Sequence, residues 1–213
     1  MELKKGLIDA LNWRYATKKF DSEKKINEKD FEELLEALRL SPSSFGIQPW
    51  KFLIVENKKL REELKGAAWG QSQIVDASHL IVLCSIRDMD ESNADYFINQ
   101  TAKIRGIKPE ELEGFRDMLL NSINGKSKLS LEEWNAKQVY LALGVLLISC
   151  AIKRIDACPM EGFDSKEFDR ILGLGEKGLH TEVVCTLGYR DKDDKYSLLN
   201  KVRFDKDRVF EVI

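Results

Sequence analysis

The stretch VYLALGVLLISCAI, residues 139–152, carries no charged side chain and is the longest apolar run in the chain. It is well short of the roughly 20 residues that a bilayer-spanning helix needs, so it predicts a fully buried core helix and no membrane segment. The preceding Ser130-Leu131-Glu132-Glu133 matches a capping box and predicts the start of this helix. A helix that is apolar all round needs neighbours on every side, and a second subunit supplies them most readily. We therefore expect a homodimer that buries this helix.

The composition is that of a globular protein with one domain. Hydrophobic residues make up 43% and charged residues 33% of the 213 residues, and the net charge of -2 argues against nucleic acid as the main partner. The four cysteines are widely spaced and lie in apolar runs, which is typical of a reducing cytoplasm, and the N-terminus has no long apolar stretch that would predict a targeting segment. With only His79 and His180 available, we expect neither a metal site nor a serine-histidine triad.

Helical and strand patterns alternate irregularly along the chain, which indicates an α+β fold. Asn27 predicts the N-cap of a helix, with Ile26 as its hydrophobic staple, and Asp164 with Glu167 predicts a second cap. A first helix is predicted from the apolar stripe of Leu3, Leu7, Ile8 and Leu11. Short apolar runs predict strands at residues 52–55, 80–84 and 181–187.

Two segments lie outside this core pattern. Residues 88–129 are polar and helix-prone, and we expect a helical excursion there that can act as a lid. The tail, residues 190–213, has too few helix or strand signals to fold alone, so we expect it to wrap another surface. We treat residues 1–213 as a single domain.

A cluster of cations follows the first predicted helix. Arg14, Lys18 and Lys19 lie within the run of residues 14–21, where an arginine fork and a mobile lysine could hold a phosphate and a second polar group. A solvated basic loop explains the same run, and on spacing alone it is favoured. Lys201 and Arg203 alternate on one side of an extended segment and could complete an anion site.

Two loops offer further candidate contacts. Residues 41–50 combine two prolines, a glycine and several serines, so that hydroxyls and backbone amides could meet an anionic or heteroaromatic ligand. An ordinary helix-to-strand connector explains the same loop, and taken alone it is favoured. Residues 157–164 place Glu161 and Gly162 before a capped helix, where one backbone amide could bond a ring nitrogen. A purely structural turn explains this segment equally well.

Together these motifs resemble the oxygen-insensitive NAD(P)H nitroreductases, a family of dimeric flavin mononucleotide (FMN) enzymes. The resemblance covers nearly the whole length and implies a central, mostly antiparallel sheet surrounded by helices, with the long helix at the dimer interface. It also implies that the tail extends onto the partner subunit. The matching segments are residues 14–21, 41–50, 76–79, 133–140, 159–164, 176–178 and 201–203.

The family's cofactor contacts carry over onto this sequence by motif. The resemblance implies that Arg14, Lys201 and Arg203 bind the flavin phosphate, while Lys18 reaches the pyrimidine edge of the ring. No protein side chain is implied as the catalytic group, because the flavin carries the chemistry with Lys18 and Glu161 nearby. The implied cofactor-binding residues are Arg14, Tyr15, Ala16, Thr17, Lys18, Pro42, Ser43, Ser44, Gln71, Gln73, Pro159, Glu161, Gly162, Lys201 and Arg203.

Each flavin would need both chains, because the resemblance places Pro42, Ser43 and Ser44 in the partner's site. The implied reaction takes hydride from NADH or NADPH and passes it through FMN, by a ping-pong cycle, to nitroaromatics, quinones or similar acceptors. Reduction of a dihydropteridine, an enone or a halogenated phenol stays open as an alternative, as does a non-catalytic flavin-binding dimer.

The sequence departs from the family pattern at three places. Ala16 replaces a frequent serine, and Phe45-Gly46 replaces a Thr-Asn pair found in some relatives. Gln71 and Gln73 stand where the best-known bacterial enzymes hold asparagine and lysine. A neutral amide stabilises a reduced, anionic flavin less than a lysine does, so we expect a lower flavin potential.

Overall fold

We describe residues 6–213 of a computed structural model of the chain. Leu3, the first member of the predicted apolar stripe, lies outside the described residues. The helices are α1 Leu7–Trp13, α2 Glu28–Arg39, α3 Lys58–Ala67, α4 Gln73–Asp76, α5 Glu91–Arg105, α6 Glu113–Asn124, α7 Lys128–Ile152, α8 Ser165–Leu172 and α9 Lys206–Val209. The strands are β1 Trp50–Ile54, β2 His79–Ile86, β3 Asp156–Met160 and β4 Leu179–Gly188.

The four strands form one sheet in the order β1-β2-β4-β3, and every neighbouring pair is antiparallel. The predicted α+β class with a central antiparallel sheet is therefore confirmed. Three strands were predicted, and the observed β1, β2 and β4 are each longer than, or shifted from, the apolar run that indicated them.

Strand β3 was not predicted, because its sequence Asp156-Ala157-Cys158-Pro159-Met160 has an acid at one end and a proline inside. The sheet tolerates this proline because β3 is an edge strand that pairs with β4 alone. The segment predicted as a turn at residues 157–164 is therefore a strand up to Met160.

Each face of the sheet carries its own hydrophobic core, because β2 alternates its side chains between them. Ile81 and Leu83 pack with α2 and α7 on one face, whereas Leu80 and Val82 pack with α3, α4 and α8 on the other. The predicted staple Ile26 joins the first core, and the predicted cap Asn27 accepts a hydrogen bond from Asp30 N at 2.9 Å. Asp164 likewise caps α8 through Glu167 N.

The long helix α7 begins three residues before its predicted start. Ser127, not Ser130, is the N-cap, because the Ser127 Oγ accepts from Ser130 N while the Ser130 hydroxyl donates back to Ser127 O. With 25 residues, α7 is the helix within residues 6–213 that is long and apolar enough to cross a membrane. It packs on β2 and α2 as a core helix of the fold.

Full burial of α7 was predicted with a second subunit as cover, and a single chain covers one face of the helix only. One face packs on the sheet through residues such as Val139 and Leu146, which are fully buried. The opposite face exposes Tyr140, Leu141 and Ile148, and Leu141 is 51% exposed. The sequence alone does not separate these faces, because both are apolar.

The excursion and the tail pack differently. In residues 88–129, α5 and α6 form a small core with Ile47 and Leu131, around Ala94, Leu119 and Ile123. The tail, by contrast, contains a 3-10 helix at Lys195–Leu198 and the short α9, and most of its side chains are exposed. Its apolar side chains at Val202, Phe204 and Phe210 are 70% exposed or more.

Candidate functional site

A cavity of about 430 Å³ lies between the end of α1 and the tail. One wall is the loop that follows α1, and the other is the segment between Tyr196 and Arg203. Its lining residues are Asn12, Trp13, Arg14, Tyr15, Ala16, Lys18, Tyr196, Ser197, Leu199, Asn200, Lys201, Val202 and Arg203. Among these described residues there are four cations and no carboxylate.

We call Arg14, Lys201 and Arg203 the cation cluster, because they line one cavity and the charge of Arg203 acts on the pKa values of both Arg14 and Lys201. Burial, followed by the charge of Arg203, lowers the pKa of Arg14. Burial, followed by the charges of Arg14 and Arg203, lowers the pKa of Lys201. The fold thus holds like charges together near a cavity, an arrangement that a bound anion stabilises.

The cation cluster is also held by a direct contact between its two walls. The Lys201 Nζ donates to the backbone carbonyl oxygen of Arg14. The sequence predicted that residues 14 and 201 meet, and they do so although 187 positions separate them.

Asp194 is a site residue that sequence reasoning missed. Only 3% of this residue is exposed, and its Oδ2 accepts from Tyr15 Oη at 3.0 Å, Lys18 N at 2.9 Å and Lys19 N at 3.1 Å. Its Oδ1 caps the 3-10 helix of the tail by accepting from Tyr196 N at 3.0 Å. The only sequence signal was an acid before a short turn, inside a segment full of acids.

Tyr15 and Thr17 were both predicted to bind the cofactor, but only Tyr15 lines the cavity. Tyr15 lines the cavity, and its pKa is raised to about 12, chiefly by burial. Thr17 is fully buried, does not line the cavity, and donates from Oγ1 to Asp156 Oδ1 at 3.4 Å. Asp156 in turn binds the guanidinium of Arg190, which lies over the Tyr15 ring. Thr17 therefore supports the loop from inside.

Lys18 reaches the edge strand of the sheet. Its Nζ lies 3.9 Å from the Cys158 Sγ. Burial raises the pKa of the Cys158 thiol, and Lys18 and then Gln73 act against that rise, so both side chains lie near the sulfur. Gln73 is buried, whereas Lys18 is exposed and lines the cavity.

Gln71 and Gly162 come together through a hydrogen bond from Gln71 Nε2 to the Gly162 carbonyl oxygen at 2.6 Å. The same Nε2 donates to Ala68 O at 3.1 Å. Both hydrogens of this predicted cofactor-binding amide are therefore used within the chain, which leaves Oε1. A Cβ atom at position 162 would lie 3.2 Å from the Trp69 ring, so the glycine leaves room for this close approach.

Pro159 and Glu161 flank the end of β3. Pro159 pairs with Cys185 of β4. The Glu161 Oε1 accepts from Tyr140 Oη of α7, and burial together with this carboxylate raises the pKa of Tyr140. Glu161 itself is exposed. None of these residues lines the cavity beside Arg14.

Pro42, Ser43 and Ser44 are likewise not brought to the cation cluster. The Ser43 Oγ accepts from Gln48 N at 2.9 Å, and Ser44 N donates to the Gln138 Oε1 of α7 at 2.8 Å. The predicted role of these residues in the site of a second subunit stays a prediction.

The next residue in this loop, Phe45, has a strained backbone. Its φ of 57° lies in the left-handed region that favours glycine. The Phe45 ring lies 6.4 Å from the Trp134 ring of α7, centroid to centroid. Gln48 also has a left-handed backbone, with a φ of 50°. Contacts elsewhere in the fold must therefore offset the free-energy cost of this loop conformation.

Comparisons with known proteins found similar chains. The model of the family described as "Nitroreductase family" matches residues 11–189. A Staphylococcus saprophyticus protein named "Putative NAD(P)H nitroreductase SSP0379" is 35% identical and the match covers 99% of this chain and 98% of the relative. YfkO of Bacillus subtilis, which carries the same kind of name, is 38% identical over 91% of this chain and 93% of its own.

Solved structures share the fold at lower identity. The nitroreductase YdfN of Bacillus subtilis, named as putative, has a TM-score of 0.83 at 22% identity, with 96% of this chain and 97% of that chain covered. A protein of Exiguobacterium sibiricum, solved in complex with FMN, has a TM-score of 0.82 at 18% identity, with 100% and 99% covered. These structures show the fold, while the family model and the two relatives above show that the chain belongs to the nitroreductase family.

Proposed function

We propose that this protein is an FMN-dependent NAD(P)H oxidoreductase that reduces nitroaromatics, quinones or similar conjugated acceptors. The observation that carries the proposal is the cavity that Arg14, Lys201 and Arg203 share, where no carboxylate lies among the lining residues from the described range 6–213. These three cations fit a dianionic phosphate, because its charge relieves the repulsion that, after burial, lowers the pKa values of Arg14 and Lys201. The names of the relatives and the FMN complex of a neighbouring structure support the same cofactor.

The residues present divide the work of holding the cofactor. Arg14, Lys201 and Arg203 would bind the phosphate, and Lys18 would supply a positive charge to the pyrimidine edge of the ring. Lys18 suits this role because it lines the same cavity and reaches Cys158 on the edge strand. When bound, FMN supplies the hydride transfer from NADH or NADPH to the acceptor in a ping-pong cycle. No protein nucleophile is then required, and the charge of Lys18 favours the reduced, anionic form.

We further propose a homodimer in which α7 covers its counterpart. Tyr140, Leu141 and Ile148 form an apolar face that residues 6–213 leave 39% to 51% exposed. The exposed apolar side chains of the tail, residues 190–213, fit a second chain in the same way. Pro42, Ser43 and Ser44 would then enter the flavin site of the partner. A cytoplasmic location without nucleic-acid or membrane partners remains part of this proposal.

Anaerobic reduction of the purified protein tests the function. The protein should be yellow, should release FMN when denatured, and should be bleached by NADH or NADPH without oxygen. Protein that is yellow but not bleached by either donor would be a non-catalytic flavin-binding dimer. Protein that is colourless and takes up no added FMN would contradict both readings.

An enone or another conjugated substrate is the second candidate acceptor. One structural neighbour, at 18% identity and a TM-score of 0.81, is an enone reductase of fatty-acid saturation. In this chain, Phe45 replaces a polar residue of the family pattern and is 37% exposed, which favours an apolar acceptor face. Reoxidation of the reduced protein by a panel of nitroarenes, quinones and enones separates these candidates, because the fastest class identifies the acceptor.

A further inference from the structure

Asp194 connects the two walls of the cavity that the cation cluster lines. One carboxylate oxygen, Oδ2, accepts from the backbone N–H groups of Lys18 and Lys19 and from the Tyr15 hydroxyl, all in the wall after α1. The other oxygen, Oδ1, accepts from Tyr196 N in the opposite wall. The carboxylate therefore bonds to both walls at once.

The contacts continue from Asp194 toward the tail cations. Its backbone carbonyl accepts from the Ser197 Oγ at 2.7 Å and from Ser197 N at 3.1 Å, which closes the 3-10 helix Lys195–Leu198. Immediately after this helix, the chain lines the cavity through Leu199 and Asn200 and then reaches Lys201. The position of Lys201 and Arg203 relative to Arg14 thus depends on a turn that Asp194 caps.

Asp194 does not itself line the cavity, and only 3% of it is exposed. Burial acts to raise its pKa, but the backbone N–H groups of Lys19, Lys18 and Tyr196 and the Tyr15 hydroxyl lower it overall. The side chain is therefore a buried carboxylate whose charge is satisfied by hydrogen bonds from the walls.

We propose that Asp194 is a positioning residue for phosphate recognition: it sets the spacing between Arg14 and the tail cations Lys201 and Arg203. This inference rests on the proposed FMN function and adds a residue to it. It also predicts a change in phosphate affinity on neutralisation of Asp194 that is opposite in sign to the change expected from charge repulsion alone. A negative charge near an anion site weakens the site, so its neutralisation should tighten phosphate binding; if Asp194 acts by positioning, neutralisation weakens binding instead.

The test compares two flavins that differ in the phosphate alone. Apoprotein of the full chain is titrated with FMN and with riboflavin, followed by flavin fluorescence. In Asp194→Asn, the amide cannot accept at both positions, so at least one wall loses its bond. We expect FMN affinity to fall about tenfold or more, while riboflavin affinity changes less than about twofold.

Asp193→Asn is the matched control. It removes the same charge one residue away, and its carboxylate is exposed and bonds the Lys19 side chain at 3.5 Å. FMN affinity in this variant should stay within about twofold of wild type or rise slightly, as expected for a screened surface charge.

Tyr15→Phe provides a second variant that leaves the carboxylate and the backbone in place. It removes one donor to Oδ2, and we expect a loss of FMN affinity of a few fold. In the double variant with Asp194→Asn the two losses should not add, because both act through the same group. This variant keeps the inference testable if Asp194→Asn does not fold.

Two results would overturn the positioning role. One is unchanged or tighter FMN binding in both Asp194→Asn and Tyr15→Phe. The other is an equal loss of FMN and riboflavin affinity, which would show a general structural role. If wild-type protein itself does not prefer FMN to riboflavin, the proposed phosphate site fails, and this outcome is separate from the other two.

Discussion

The cation cluster lines the cavity of its own chain, whereas the loop of Ser43 and Ser44 does not. Arg14 and Lys201, far apart in sequence, meet within the same chain and line one cavity with Arg203. Ser43 and Ser44 bond to Gln48 and Gln138 of their own chain and do not line that cavity. We infer that the phosphate end of the proposed site is complete in a single chain, whereas the ring end would need a second chain.

The largest effect is expected from a change in α7, the helix that contacts the loop of Ser43 and Ser44 and forms the proposed dimer interface. Leu141→Glu places a carboxylate on the apolar face that the proposed dimer buries, and burying an unpaired charge costs several kcal/mol. We expect monomeric protein in sedimentation experiments and loss of bound FMN. Leu141→Ala, which carries no charge, is the control and should remain dimeric. A Leu141→Glu protein that is still dimeric would show that α7 is not the interface.

Next in size is the loss of a cation at the phosphate end. Arg14→Ala should weaken FMN binding by about 30-fold to 100-fold, because an arginine bonded to a dianion contributes more than a neutral hydrogen bond does. Equilibrium titration measures this loss, and riboflavin affinity should change little. Equal losses for both flavins would place Arg14 at the ring and not at the phosphate.

Lys18 should act on the flavin potential more than on flavin retention. Lys18→Gln removes a cation proposed to stabilise the reduced ring, and we expect the midpoint potential to fall by about 30 mV, equivalent to about 1.4 kcal/mol for a two-electron couple. Redox titration against a reference dye measures it. Lys19→Gln is the matched control, because Lys19 is paired with Asp191 and Asp193. An equal shift in both variants would exclude a specific role for Lys18.

The smallest effect is a dependence of FMN binding on alkaline pH. Burial and the charges of Arg14 and Arg203 lower the pKa of Lys201, so this lysine loses its proton at a lower pH than a free lysine. The phosphate binds the charged form. FMN affinity should therefore be full below the lowered pKa and fall, up to about tenfold, as the pH rises through it.

Lys201→Arg provides the control for that pH dependence, since arginine stays charged and should abolish the fall. The pH dependence of riboflavin affinity, measured in parallel, shows how much of the fall comes from titration of the flavin ring itself. The same decline in wild type and Lys201→Arg would assign it to another group.

Local sequence patterns predicted much of the fold. The caps at Asn27 and Asp164 and three of the four strands follow from residue types and spacing. The fourth strand, β3, was not predicted because Pro159 disfavours a strand unless that strand lies at the edge of a sheet. Which strand lies at an edge depends on how the whole sheet assembles, and the local sequence does not show it. Likewise, no pattern separates the covered face of α7 from the exposed one, because Leu146 and Leu141 are the same residue type.

The motifs of the candidate site were predictable from the sequence, but the hydrogen bonds that join and support them were not. Arg14, Lys18, Lys201 and Arg203 were identified as candidates from charge and motif resemblance, and they share a cavity. Asp194 was missed because its importance lies in two backbone segments that converge on it, not in its neighbours along the chain. Thr17 was placed in the site by its position, yet its side chain turns inward to Asp156.

Subunit mixing tests whether one flavin site takes its phosphate end and its ring end from different chains. Chains with Arg14→Ala and Lys201→Ala lack the phosphate end, and chains with Ser44→Trp have a blocked ring end; each homodimer alone should bind little FMN. In a mixed dimer, the wild-type cations of the second chain face the wild-type loop of the first, so one complete site forms. We expect recovery of one FMN and NAD(P)H-dependent bleaching per mixed dimer. No recovery in mixed dimers that are shown to form would contradict a flavin site shared between two chains.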